Sequence, residues 1–167
     1  MPSTAAQWIS ALGLQPHPEG GFYRELYRAE GEISPSALPA RYDGARSYAT
    51  SIYFLLSGRQ VSHWHRLASD EIWYYHAGDS LTVHIIDSNG VYSSQRLGSE
   101  PDKGMALQVV IPHGCWFGAT VDDPEGYCLV GCAVAPGFSF ADFELASSHD
   151  ILIRDEAHRE IIERLMP

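Results

Sequence analysis

Positive charge is what this chain most lacks. Its 167 residues carry 11 Lys and Arg against 21 Asp and Glu, a formal net charge of −10. Such a surface repels a polymer of phosphates, so DNA or RNA is not expected as a partner; a single nucleotide held by one or two local arginines is still allowed. No apolar run is long enough to cross a bilayer, so no membrane partner is expected. The first residues hold no basic region followed by an apolar stretch, and the expectation is a cytoplasmic protein without a secretory signal. Cysteine is scarce too. Cys115, Cys128 and Cys132 make an odd set that suits a reducing compartment rather than a disulfide framework. Cys128 and Cys132 fall on one face of an apolar strand and read as small core residues; zinc asks for closer spacing and further ligands. There is no internal repeat, low-complexity segment, linker or phosphate-cradling G-x-x-x-x-G-K-[ST]. What remains is an ordinary globular mixture, 45% hydrophobic and 19% charged. Its length suits one domain with a sizeable core, expected over residues 1–167.

Strand patterns dominate. Thr4 and Gln7 have capping-box spacing, Ala5, Trp8 and Leu12 line one helical face, and Gly13 suits a stop, so a short helix is expected over 4–12. LQPHPEGG reads as a loop. FYRELYRA (22–29) reads as a strand with Tyr23, Glu25 and Tyr27 on one face and Phe22, Arg24 and Leu26 on the other. Residues 30–45 read as irregular. RSYATSIYFLL (46–56), the segment around His63 and His65, Glu71–His76, and LTVHIID (81–87) follow as strands. So do VYSSQRL (91–97), MALQVVI (105–111), CWFGAT and YCLVGCAVA, with turn residues between them. Ser148-His149-Asp150 reads as the start of a helix, since contiguous residues do not form a catalytic triad. After Asp155 the pattern is an amphipathic helix carrying Ile161, Ile162 and Leu165. Short strands with evenly spaced turns predict an all-β sandwich or barrel.

The chemistry gathers in GRQVSHWHRLASDEIWYYHAGD, residues 58–79. On a strand, His63 and His65 point the same way, about 7 Å apart, and Glu71, Trp73 and Tyr75 share a face of the next strand. Pairing of the two strands brings imidazole and carboxylate to one pocket. One reading is a metal site in which His63, His65 and Glu71 hold Zn²⁺, Fe²⁺, Mn²⁺ or Ni²⁺ with positions open for substrate. Another needs no metal: His65 is a general acid or base, oriented by Asp142, Glu144 or Glu71, with Tyr23, Tyr53 or Tyr75 as the acid opposite. Trp73 and Trp116 flank polar residues and suit stacking on a ligand, although core filling is the ordinary role of any single aromatic. Glu19-Gly20-Gly21 and Arg24 offer close backbone approach and a guanidinium for phosphate or carboxylate, or else a plain turn and a local ion pair. Ser51 and Gln108 complete the ligand-binding candidates.

Gly58, His63-x-His65, Glu71 and Gly78 resemble the first motif of the cupin superfamily, and Pro112-His113-Gly114 resembles the start of the second. Phe117 stands where that second motif has histidine, so one metal ligand of the superfamily is missing, with His84 and His113 as nearby alternatives. LGLQPHPEGGFYRELYR (12–28), HRLASDEIWYYHAGD (65–79), PHGCWFGA (112–119) and VAPGFSFADFEL (134–145) resemble the Cupin 5 family, in order over most of the chain. The resemblance implies a double-stranded β-helix (jelly-roll) barrel with short N- and C-terminal helices. It implies a single histidine, at His65, as the family's regular feature. At this size it also implies a homodimer, with strand 22–29 crossing to a partner's sheet. The family's similarity in fold to nucleotide-deoxysugar epimerases implies a pocket of sugar-nucleotide size.

Three functions follow as expectations. The first is an isomerase- or epimerase-type enzyme on a sugar or nucleotide-sugar-like ligand, with His65 and Glu71 catalytic and no cofactor. The second is a metal-dependent enzyme using a divalent ion. The third is a non-catalytic binding or sensor protein with the same pocket.

Overall fold

The computed structural model describes residues 4–147, 150–151 and 156–167. In chain order the elements are α1 (Ala5–Leu12), β1 (Gln15–Pro16), β2 (Phe22–Arg28), β3 (Glu32–Ile33), β4 (Arg46–Ser47), β5 (Thr50–Ser57), β6 (Val61–Arg66) and β7 (Asp70–Gly78). They continue with β8 (Leu81–Ile86), β9 (Tyr92–Leu97), β10 (Gln108–Ile111), β11 (Trp116–Val121), β12 (Tyr127–Ala135), β13 (Glu144–Leu145) and α2 (Arg159–Arg164). Two antiparallel sheets, in the orders β1-β2-β5-β12-β7-β10 and β13-β6-β11-β8-β9, pack face to face as a jelly roll, and β3 pairs β4 apart from them. Between the sheets lies a core that includes Leu56, Trp73, Val83, Phe117 and Val130.

The helices cover the outer faces. Thr4 and Gln7 form the reciprocal capping box, and Gly13 ends α1 at φ 62°, a left-handed conformation that glycine adopts without cost. Trp8, Ile9 and Leu12 then pack on Leu55 and Leu129 of the larger sheet, and Trp8 Nε1 donates to Tyr127 Oη at 3.1 Å. At the other end, Ile162 and Leu165 pack on Trp64 and Trp116 of the smaller sheet, and Trp64 Nε1 donates to the Ile162 carbonyl at 2.9 Å. Ile162 and Leu165 are fully buried and contribute about 1.5–3 kcal/mol each, whereas the α1 side chains are half-buried and contribute less.

Simple alternation of side chains fails at three β-bulges. The one in β7, where His76 is extra, lies beyond the cavity; the other two matter for the site. In β2, Glu25 pairs Ile52 while Tyr27 pairs Ser51, so Leu26 is the extra residue. Arg28, not Tyr27, therefore joins Tyr23 and Glu25 on the inner face, and Tyr27 is 55% exposed. In β6, His65 pairs Phe117 and Ser62 pairs Ala119, three residues against two. Ser62 and His65 share the inner face, and the intervening His63 and Trp64 turn to the outer one.

The long strand expected over 46–56 is broken before Thr50: Arg46 and Ser47 leave the sheet to pair with Ile33 and Glu32. That gives residues 30–45, expected to be irregular, a strand of their own. β2 pairs along β5 of the same chain. Cys128 and Cys132 are buried free thiols, as expected of core residues. Ser148 and His149 lie outside the described residues. Among those described, no helix is long and apolar enough to cross a membrane.

Candidate functional site

A cavity of about 980 Å³ enters the barrel between the inner faces of β2, β5, β6, β7 and β12. The β3–β4 pair and the segment Phe138–Phe143 complete its wall. Its deep end holds His17, Glu19, His65, Glu71, Trp73 and Cys132; Glu25, Arg28, Glu30, Glu32 and Phe140 are at its exposed end.

Glu19 reaches the deep end because its loop is pressed onto the sheets. A Cβ on Gly20 would lie 2.2 Å from the Val61 carbonyl oxygen, and one on Gly21 would lie 2.7 Å from that of Leu55. Only glycine fits there, and both residues also have positive φ, 104° and 69°. The His63 N–H donates to the Glu19 carbonyl at 2.7 Å and fixes the loop against β6.

The protonation pattern follows from the donors. His65 Nδ1 lies 2.7 Å from the His63 carbonyl, an acceptor, so Nδ1 carries the hydrogen and the neutral ring presents a lone pair at Nε2. The Glu19 backbone N–H donates to His17 Nδ1 at 3.3 Å, so that nitrogen also presents a lone pair. Both lone pairs face Glu19 Oε2, His65 Nε2 at 3.2 Å and His17 Nδ1 at 3.3 Å. Ser62 Oγ donates to Oε1 at 2.8 Å. A proton on Oε2 satisfies the arrangement. Burial of the three groups supports the same assignment. It raises the Glu19 pKa well above the carboxylate range, with Glu71 adding like-charge repulsion. Desolvation lowers His65 to about 3 and His17 to about 4. Although Glu19 and His65 lie at ion-pair distance, both lose hydration, and a neutral acid donating to a neutral imidazole is favoured over the charged pair.

Glu71 is different. It has no ion-pair partner among the described residues, and it lines the cavity beside Trp73 and Cys132. Burial pushes its pKa up to about 7, while the indole and thiol ease that rise. Trp73 Nε1, although turned toward this carboxyl, is buried without a hydrogen bond of good geometry.

Of the residues singled out from the sequence as site candidates, Glu19, Tyr23, His65, Glu71 and Trp73 line the cavity. The others do not. The β6 bulge turns His63 outward, its Nδ1 3.2 Å from the Leu165 carbonyl. Arg24 is on the outer face of β2 and donates to the Leu12 carbonyl at 2.9 Å. Ser51 and Tyr53 have the wrong parity, because Thr50, Ile52 and Phe54 face inward on β5. Tyr75 keeps the face of Glu71 and Trp73 but sits beyond the cavity, its hydroxyl donating to the Gly78 carbonyl at 2.6 Å. Gln108 is exposed on β10. Trp116 packs outside the barrel under Arg66, 4.4 Å from guanidinium carbon to ring centre.

The metal set His63, His65 and Glu71 is therefore not assembled, and among the described residues no three His, Cys, Asp or Glu side chains converge to hold an ion. The alternatives are engaged elsewhere: His113 with Asp70 at 2.8 Å, and His84 with Tyr92 and Thr120. Neither Asp142 nor Glu144 orients His65; they pair with Arg46 and Arg66. Glu19 takes that role. Glu19 as a carboxyl group, together with His17, Arg28 and Phe143, escaped the strand pattern. The available signal was HPEG, two titratable residues inside a Pro- and Gly-bracketed turn.

The family model described as "Cupin superfamily (DUF985)" matches residues 6–146. Protein SO0799 of Shewanella oneidensis is 41% identical, with a TM-score of 0.86 over 99% of both chains. A hypothetical protein from Leishmania major is 36% identical, with a TM-score of 0.85 over 98% of this chain and 99% of that one. The oxalate decarboxylase of Bacillus subtilis shares the fold alone, at 17% identity and a TM-score of 0.54 over 91% of this chain and 34% of that one.

Proposed function

The chain belongs to the cupin superfamily family DUF985, and on that footing we propose that its cavity binds a small, sugar-sized molecule and shifts a proton on it. The reaction is of isomerase or epimerase type, at a carbon beside a carbonyl. One observation carries this reading: Glu71 faces the cavity with no ion-pair partner among the described residues and a pKa of about 7, so it both takes and returns a proton at neutral pH.

The roles follow from the hydrogen bonds. His65 has both ring nitrogens engaged, which removes it as a free base and makes it a positioning residue for Glu19. Glu71, as carboxylate, removes the proton next to the substrate carbonyl. The negative charge that develops on the carbonyl oxygen needs a donor. His17 supplies Nε2–H, because its Nδ1 is an acceptor and its low pKa keeps the ring neutral. Isomerisation is completed when Glu71 returns the proton to the neighbouring carbon, and His17 gives its Nε2 proton to the original carbonyl oxygen and takes the neighbouring hydroxyl's proton in its place, so that the second oxygen becomes the new carbonyl. Return to the opposite face of the same carbon, an epimerisation, uses Tyr23 as the second acid.

The test is a screen of aldoses and ketoses by thermal shift, then incubation of every binder in D₂O with C–H exchange followed by NMR. Exchange with the parent and none with Glu71→Gln supports the reading. A ligand recovered unexchanged from the parent makes the protein a binder rather than an enzyme.

A further inference from the structure

We propose that the ligand of this cavity carries an ammonium or similar cationic group and bears neither phosphate nor carboxylate. This deepens the small-molecule reading above and rests on it. An anionic ligand is held best by an uncommitted cation, and among the described residues the wall has none. Its two guanidinium groups are spoken for. Arg28 makes a two-pronged contact with Glu25 at 3.0 and 2.8 Å and donates its third nitrogen to the Phe138 carbonyl at 3.0 Å. Arg46 grips Asp142 at 2.7 and 2.5 Å, reaches Asp43 at 2.7 Å and gives its remaining nitrogen to the Ala45 carbonyl at 2.8 Å. A phosphate would have to break one of these forked pairs and enter a chain of net charge −10.

The carboxylates are disposed the other way. Glu30 and Glu32 line the exposed end and have no ion-pair partner among the described residues. Phe140, which lines the same cavity, is 54% exposed, with its ring centre 5.0 Å from that of Phe138 and 6.0 Å from that of Phe143. Uncommitted carboxylates and an exposed aromatic ring lining one cavity attract a cation by charge and by the ring quadrupole together. An amino sugar has this chemistry, whereas a nucleotide sugar carries the wrong charge.

The experiment uses the whole chain at low ionic strength and three probes with one ring and different heads: benzylammonium, benzyl alcohol and benzyl phosphate. Calorimetry is expected to show benzylammonium binding saturably, about ten-fold or more tighter than the alcohol, with no binding of the phosphate. In Glu30→Gln/Glu32→Gln, at unchanged melting temperature, ammonium and alcohol should come within about two-fold of each other. Tighter binding of the phosphate, no saturable binding of the ammonium, or an ammonium preference that survives in the double variant would each overturn the proposal. The D₂O screen separates the two claims. Exchange confined to phosphorylated sugars removes this inference and leaves the proton chemistry standing. The predicted charge order without exchange on any binder does the reverse.

Discussion

Glu19 Oε2 lies 3.2 Å from His65 Nε2, and the proton between them ties the glycine loop to β6 at the deep end of the cavity. If that proton belongs to Glu19, glutamine imitates the native state: its amide donates to His65 and its carbonyl accepts from Ser62. Glu19→Gln is expected to cost about 1 kcal/mol or less, while Glu19→Ala, which strands both partners, costs about 2–4 kcal/mol. Urea unfolding at neutral pH measures both. Equal, large losses in the two variants would assign the contact to a charged pair instead.

Glu71 links stability to pH. In the fold it holds its proton up to about pH 7, against about 4.5 in the ordinary carboxylate, so the folded state binds more protons between these values. Its contribution to stability is therefore full at low pH and is lost as pH rises from 4.5 to 7. His17 and His65 act oppositely: lowered to about 4 and 3, they cost stability as pH falls below their ordinary 6.5. Comparing Glu71→Gln with the parent cancels the histidines. The difference should move in favour of the variant by about 2–3 kcal/mol between pH 4 and pH 8. A difference independent of pH would contradict the raised pKa.

Arg46 and Asp142 hold the Phe138–Phe143 wall to the β3–β4 pair. Asp142→Ala leaves a largely buried guanidinium with the exposed Asp43 as its one carboxylate partner among the described residues, at an expected cost of about 3 kcal/mol. Limited proteolysis should then cut first within residues 136–145. Cleavage unchanged from the parent would show that the pair does not anchor this wall.

His63 tests the bulge. Its ring lies outside the barrel, so His63→Ala should leave cavity ligands bound as before and lose only about 1 kcal/mol with the Leu165 contact. Elemental analysis of untagged protein, parent beside variant, is the check. Loss of bound zinc, iron, manganese or nickel on this substitution would restore the metal site that the alternation of β6 suggested.

Much of the fold is legible in the sequence because its signals are local. The Thr4–Gln7 box, Gly13, the buried cysteines and the even spacing of strands each express one short-range preference. The site is less legible because it depends on register. One extra residue in β6 sends His63 outward and one in β2 substitutes Arg28 for Tyr27. Strict alternation predicts neither. Ser51 and Tyr53 show a second limit: period two separates the faces of β5 without saying which is inside. Glu71 and Trp73 share the cavity face, as alternation predicts, because β7 keeps its period of two up to Tyr75. Glu19 and His17 arrive on a loop, for which side-chain periodicity carries no information.

The most direct measurement is a carboxyl-carbon NMR titration of protein labelled at glutamate, with Glu71→Gln and Glu19→Gln to assign the two signals. Glu71 is expected to titrate near pH 7, and Glu19, whose proton lies between its carboxyl and His65, to stay protonated through neutrality. Both signals titrating below pH 5, like ordinary surface glutamates, would contradict that expectation.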